Sequence, residues 1–376
     1  MENKLTIERE PNIVLESVGL LLQLKSDTDF AQMQRKIERK YGIRTPALEK
    51  KFDLLCRIEA DAKKKSNEIQ GDLDYYFTGG VPEVTTIGEV ALLWWDTDIR
   101  LTHTLEQYKE RLSSLSEKEW CRRFGSALEG YLNGILKDMD YKELETPMEV
   151  MQFILHMDVA DEVKLAFGSI LTEREEHWNR LFHMLEWAKR ILMSYEDEMK
   201  EIAEECADFY EGIMSKTTVE KYIGDSIGFS LNQNEQGSVI TPYFARPNML
   251  NLLACGKDRV STPYYVIVGI LFDRDFELTL QSEKTEEVDP EYMEKMLKLL
   301  SDKSKFAILS MIKDKRAYGS ELAKQLNLTT ATISHHMGSL LSAGLIPAEE
   351  EDNRIYYRGN KEAIQKVLDM CEKALT

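Results

Sequence analysis

Side chains able to do acid–base, nucleophilic or metal chemistry are few and scattered in this chain. The nearest approach to a ligand set is Glu173, Glu176 and His177, where Glu173 and His177 stand four apart on one helical face. A metal site built by the protein needs a third ligand. His183 points to another side of the helix, so the group reads as a solvated helix face. His103 and His156 stand alone. Gly79-Gly80-Val81-Pro82 lacks the Lys-Ser/Thr pair of a phosphate loop and reads as a turn. No G-x-S-x-G elbow occurs. Cys56, Cys121, Cys206, Cys255 and Cys371 are single and far apart, the pattern of a reducing cytoplasm rather than a disulfide framework. The chain is expected to be no enzyme, with no cofactor and no metal site.

Chemistry of recognition is better represented. Thr330, Ala331, Thr332, Ser334, His335 and His336 place small or hydrogen-bonding side chains along one predicted helix, while Ile333, Met337 and Leu340 recur at the spacing of its inward face. Such a helix suits a major groove about 12 Å wide. Arg354, Tyr356 and Arg358 follow on a predicted strand, placed to meet phosphates or the minor groove. These nine residues form the candidate contact set, with double-stranded DNA as the partner.

Several elements must position that set. A helix is predicted over Asp302 to Ile312, with Phe306, Ile308, Leu309 and Ile312 on its buried face. Gly319-Ser320 opens a short helix, Glu321 to Leu326, with Ser320 as its cap. Asn327-Leu328 makes the turn, Thr329 caps the helix Thr330 to Ala343, and Gly344 ends it in left-handed conformation. Leu345-Ile346 and Ile355-Tyr356-Tyr357 read as two strands about a polar tip at Asp352-Asn353. Helix, helix–turn–helix and hairpin in this order make a winged helix.

The segments LSDKSKFAILSMI, SELAKQLNLTTATISHHMGSLLSAGLI and RIYYR resemble the ArsR family of bacterial winged-helix regulators, over roughly residues 291–376. The resemblance implies a homodimeric DNA-binding regulator, usually a repressor released by a ligand, dimerised through the first and last helices of this region. Metal-sensing relatives carry a Cys-x-Cys motif where this chain reads Arg316-Ala317-Tyr318-Gly319-Ser320-Glu321. Others bind zinc through a last helix bearing His, and Lys361 to Thr376 has none. A protein that does not respond to metal is the expectation. Gly338, Ser339 and Leu341 stand where relatives often place Lys or Arg, and Glu349, Glu350, Glu351 and Asp352 make the hairpin acidic. Modest non-specific affinity follows from both. The alternative is a protein-interaction or assembly protein whose winged helix binds DNA constitutively or not at all.

Charge divides with the predicted domains. The net charge is -18, yet residues 291–376 hold 13 basic and 12 acidic groups, leaving 35 basic and 54 acidic to the rest. An acidic body repels a duplex and leaves contact to the small domain. The polar run QSEKTEEVDP separates the two, so residues 1–285 are read as an effector or assembly domain and 291–376 as the DNA-binding domain.

The large region is expected to be mostly helical, with Thr172 to Glu211 as one long helix or two in sequence. It ends in a small antiparallel sheet drawn from Ile227–Leu231, Ser238–Phe244 and Tyr264–Phe272, completed by Leu5–Arg9. The fold class is thus mainly α with small β elements. VITPYFARPNMLNLL resembles, by sequence and placement, two-domain members of the same family. The aromatic density at Tyr75-Tyr76-Phe77, Trp94-Trp95, Trp178 and Trp187 fits either core or a pocket for a small-molecule effector; a protein effector is the other expectation. No segment has the roughly 18 uninterrupted apolar residues of a membrane span, and a cytoplasmic location is expected.

Overall fold

The computed structural model describes all residues except 1–4, 42–43, 79–84, 95, 97–101, 134–143, 223–228, 231–235, 254–262, 272–289, 352–353 and 376. The Gly79–Pro82 turn, Trp95, Cys255 and the Asp352-Asn353 tip lie outside the described residues. No described helix is long and apolar enough to cross a membrane. The chain forms two compact units. The described residues of the first fall within 5–128, 144–216 and 236–271, and those of the second within 129–133, 217–222, 229–230 and 290–375.

The first unit is helical. After β1 (Leu5–Ile7) come α1 (Ile13–Leu24), α2 (Phe30–Tyr41), α3 (Pro46–Lys65), α4 (Gln70–Phe77), α5 (Ile87–Ala91), α6 (Leu105–Ser113) and α7 (Glu117–Asn133), of which residues 129–133 belong to the second unit. Then follow α8 (Pro147–His156), α9 (Asp161–Thr172), α10 (Arg174–Leu192) and α11 (Glu196–Met214). Asn12 starts α1, its Oδ1 accepting from the amides of Val14 and Leu15 at 3.1 and 3.2 Å. Val14, Val18 and Leu21 of α1 are wholly buried, and the helix packs along α10. The tract from Thr172 to Glu211 is two helices in sequence, broken at Met193–Tyr195 by a single 3₁₀ turn.

His177 of α10 is a core residue rather than part of a solvated face. Its Nδ1 lies 2.6 Å from the Tyr76 hydroxyl and its Nε2 2.9 Å from the Ser169 hydroxyl. Burial holds its pKa below the ordinary value. Trp178 and Trp187 are likewise buried.

The sheet of this unit is mixed, where the sequence suggests an antiparallel one. With β2 (Phe229–Ser230) assigned to the second unit, the strands are β3 (Ser238–Tyr243), β4 (Leu250–Leu253) and β5 (Tyr264–Gly269), in the order β1-β3-β5-β4. β1 and β5 flank β3 in parallel, and only β4 runs antiparallel to its neighbour. The reason is connectivity: β4 carries the chain back between β3 and β5 but lies at the far edge, so β3 and β5 become parallel neighbours. The amino-terminal strand joins the sheet as expected.

A close seam joins α1 to the end of β3. The Glu16 carboxylate is buried and accepts from the amides of Phe244 and Ala245 at 2.9 and 3.1 Å. One turn on, a Cβ at Gly19 would overlap the Ala245 methyl and the Tyr243 hydroxyl. Burial pushes the Glu16 carboxyl up to about 8, against the pull of the two amides.

Two outcomes follow for this seam. Gly19→Ala is expected to lower the stability of the first unit by about 1–3 kcal/mol through overpacking, read by urea denaturation. A carboxyl whose folded pKa is raised stabilises fully below its unfolded value and loses that contribution as pH rises through the folded one. The first unit should therefore lose stability between about pH 5 and about pH 8. The slope should shrink in Glu16→Gln; an equal slope in the variant would assign the effect to other groups.

Candidate nucleic-acid interface

The second unit contains α12 (Pro290–Ser301), α13 (Lys303–Ile312), β6 (Ala317–Tyr318) and α14 (Gly319–Leu326). It continues with α15 (Thr330–Ser342), β7 (Ala348–Glu351), β8 (Arg354–Tyr357) and α16 (Lys361–Leu375). Asp302 caps α13, its Oδ1 accepting from the Lys305 amide at 2.8 Å, and that bond holds its carboxyl below the usual range. Ile308, Leu309 and Ile312 are buried, but Phe306 is 60% exposed. At about 100° per residue, position 306 lies some 160° from Ile308, outside the inward stripe.

The helix–turn–helix is set by three local conformations. Asn327 ends α14 at φ 53° and ψ 43°, a left-handed geometry that Asn tolerates better than most residues. The Leu328 amide then reaches back to the Ala323 carbonyl at 3.0 Å. Thr329 is extended, and its hydroxyl accepts from the Thr332 amide at 3.0 Å to open α15. Gly344, at φ +68°, closes α15, and the Leu345 amide bonds the Leu340 carbonyl at 3.0 Å. Helix α14 begins at Gly319 with Tyr318 in the cap position, so Ser320 lies inside the first turn. Tyr318 is held extended by its place in β6.

Ile333, Met337 and Leu340 of α15 are fully buried in a core with Ile308, Leu309, Ile312 and Leu322. This burial fixes the rotation of the helix. Thr330 is exposed at its first turn, and Thr332 and Ser334 are half-exposed on its flanks. Positions 331, 335 and 338 fall on the side opposite Ile333 by the helical step. His336 is half-buried on the inward side, close enough to Asp302 to help lower its pKa.

The wing follows from register. β7 and β8 pair antiparallel from Ala348↔Tyr357 to Glu351↔Arg354, and β6 pairs with the far side of β8. Leu345-Ile346, expected as a strand, is instead a buried apolar plug ahead of β7. β2 adds in parallel to the open edge of β7, with Phe229↔Ala348 and Ser230↔Glu349, giving the order β2-β7-β8-β6. Two residue rows cross the sheet. In the row Phe229, Ala348, Tyr357, Ala317, the last three are buried; the other row is Ser230, Glu349, Tyr356, Tyr318.

The wing members of the contact set lie along one strand. Arg354 starts β8, Tyr356 belongs to the outer row, and Arg358 is exposed just past the strand. The Arg358 amide reaches the Pro347 carbonyl at 3.4 Å, and the Gly359 amide the Ile312 carbonyl at 2.9 Å, which ties the wing's base to α13. Reading the sequence missed Arg316, whose guanidinium lies over the Tyr356 ring at 4.6 Å. An Arg two residues before an aromatic strand residue was the available signal. Among the described residues no group of three or more His, Cys, Asp or Glu is placed to hold a metal ion.

A family model described as "Bacterial regulatory protein, arsR family" matches residues 295–347, from α12 through the end of the helix–turn–helix. The arsenical resistance operon repressor of Staphylococcus aureus is 27% identical over 73 residues, 19% of this chain and 70% of that protein. Among solved structures, NolR from Sinorhizobium fredii matches at 18% identity with a TM-score of 0.20, covering 24% of this chain and 97% of that one. HlyU from Vibrio cholerae N16961 matches at 21% identity with a TM-score of 0.20, covering 24% and 98%. Residues 295–347 are thus similar to the helix–turn–helix of ArsR-type regulators.

Proposed function

We propose that this protein is a cytoplasmic transcriptional repressor that binds its operator as a homodimer and does not respond to metal. The carrying observation is the rotation of α15: burial of Ile333, Met337 and Leu340 turns its small and hydrogen-bonding positions outward, within the segment that the family model matches. In this reading residues 291–376 are the DNA-binding domain. Thr330, Ala331, Thr332, Ser334 and His335 approach base edges, and Arg354 and Arg358 approach phosphates. His336 supports the helix from within.

Dimerisation is supported by apolar side chains left on the surface. Leu297 of α12 and Leu368 of α16 are 43% and 51% exposed on two helices that pack against each other. Val367, one step away, is buried in the unit's own core. An exposed apolar stripe beside a filled core suits a twofold seam.

Residues 1–285 serve as the effector or assembly body, with a small organic molecule or a protein as the effector. The route by which it acts is suggested by chain connectivity. From α11, which ends at Met214, the chain supplies β2 to the wing and then enters β3 at Ser238.

Binding of the intact protein to the DNA immediately upstream of its own coding sequence tests the reading. Affinity should fall steeply as salt rises. Arg354→Ala should weaken binding to all sequences alike and flatten the logarithmic salt slope by about 1. Ser334→Ala and His335→Ala should instead narrow the gap between specific and non-specific DNA, by roughly tenfold if each contact is worth about 1.4 kcal/mol. Operator binding untouched by all three would show that α15 and the wing are not the reading surface.

A further inference from the structure

The wing's outer row has a cation built into it. Tyr356 is paired across the strands with Tyr318 of β6, and the two rings meet edge to face at 5.7 Å and 78°. The guanidinium of Arg316 lies over the Tyr356 ring, its Cζ 4.6 Å from the centroid. Arg316 is exposed, immediately before β6, and Lys313 and Lys315 beside it are exposed as well. Arg358, at the far end of β8, adds a further exposed cation to the same sheet.

An arginine on a flexible stem loses much rotamer freedom when it grips a phosphate. One already resting on an aromatic face has given up part of that freedom beforehand, and its planar fork is suited to phosphate oxygens. Tyr318 has the complementary task of fixing the Tyr356 ring from the side. We propose that Arg316 is a phosphate-contacting residue of the DNA interface and that Tyr356 is its platform, a positioning residue acting through Arg316 rather than a base reader. This rests on the DNA-binding reading above and changes the role of Tyr356 within it. The occupant is a backbone phosphate, so the contact carries affinity without sequence preference.

The test uses the intact protein and the same upstream DNA fragment, with affinity measured by fluorescence anisotropy over a salt series. Arg316→Ala should weaken binding about threefold to tenfold on any sequence and flatten the salt slope by about 0.9, the value for one phosphate. Tyr356→Phe, which keeps the ring face, should bind within about twofold of the parent. Tyr356→Leu should match the loss of Arg316→Ala, and the double variant should be no weaker than either single one, because both remove one device. Thermal melts separate a lost platform from a lost fold, and Tyr356→Phe remains informative if the leucine variant unfolds. Equal losses in Tyr356→Phe and Tyr356→Leu would make the hydroxyl itself the contact and overturn the proposal. So would an unchanged salt slope in Arg316→Ala, or additive losses in the double variant. Failure of the parent protein to bind DNA at low salt would overturn the functional reading and this inference with it; loss of effect in the variants alone would overturn only the inference.

Discussion

The burial of Ile333, Met337 and Leu340 against α13 is the constraint from which the rest of the second unit follows. A helix of thirteen residues has no preferred rotation until one face is committed to a core. Once these three are inside, positions 331, 335 and 338 fall on the outward side of α15, and His336 is left half-buried on the inward one. The caps at Thr329 and Gly344 then fix its length, and the turn at Asn327 fixes its angle to α14. The wing depends on the same core, because Ala348 and Tyr357 close it from the other side while Gly359 is tied to Ile312. Helix and wing are thus positioned by one body, which suits the proposed two-point reading of a duplex.

Electrostatics shapes what such a reader can do. The outward side of α15 has no Lys, Arg, Asp or Glu, so in the proposed reading its contacts would be hydrogen bonds and van der Waals contact, which discriminate without adding attraction at long range. In the proposed reading, attraction would come from the basic residues in and beside the wing sequence, chiefly Lys313, Lys315, Arg316, Arg354 and Arg358. Against them stands the Glu349–Glu351 run of β7. The strong acidic excess of residues 1–290 weakens long-range attraction further. If the proposed reading holds, a regulator of this composition would gain specificity by limiting non-specific hold, since only a site that satisfies α15 would offset the repulsion.

Much of the helix–turn–helix was legible because its signals are local. Asn327, Thr329 and Gly344 each act through their own backbone or a neighbour within five residues, and the period of Ile333, Met337 and Leu340 needs no tertiary information. What sequence could not supply depended on pairing across distance. Tyr318 displaces Ser320 as the cap of α14 because β8 holds it extended. The acidic stretch Ala348–Glu351 forms a strand against its intrinsic preference because Arg354–Tyr357 offers a register, while Leu345-Ile346 is apolar to fill the core. Phe229-Ser230 looks like a strand of the large region's sheet yet pairs with β7, and parallel pairing of β3 with β5 leaves no mark in either strand. His177 shows the same limit in the first unit: its spacing from Glu173 is that of a surface pair, and only the fold brings Tyr76 and Ser169 to its two nitrogens.

The claim that two copies of α15 read a duplex together is tested most directly by hydroxyl-radical footprinting of the intact protein on its own upstream DNA. Two protected segments are expected on one face of the helix, with centres about 34 Å or a multiple of it apart, matching successive major grooves. A single protected segment would contradict the paired arrangement. Uniform cleavage at low salt, with the protein folded, would contradict DNA reading itself.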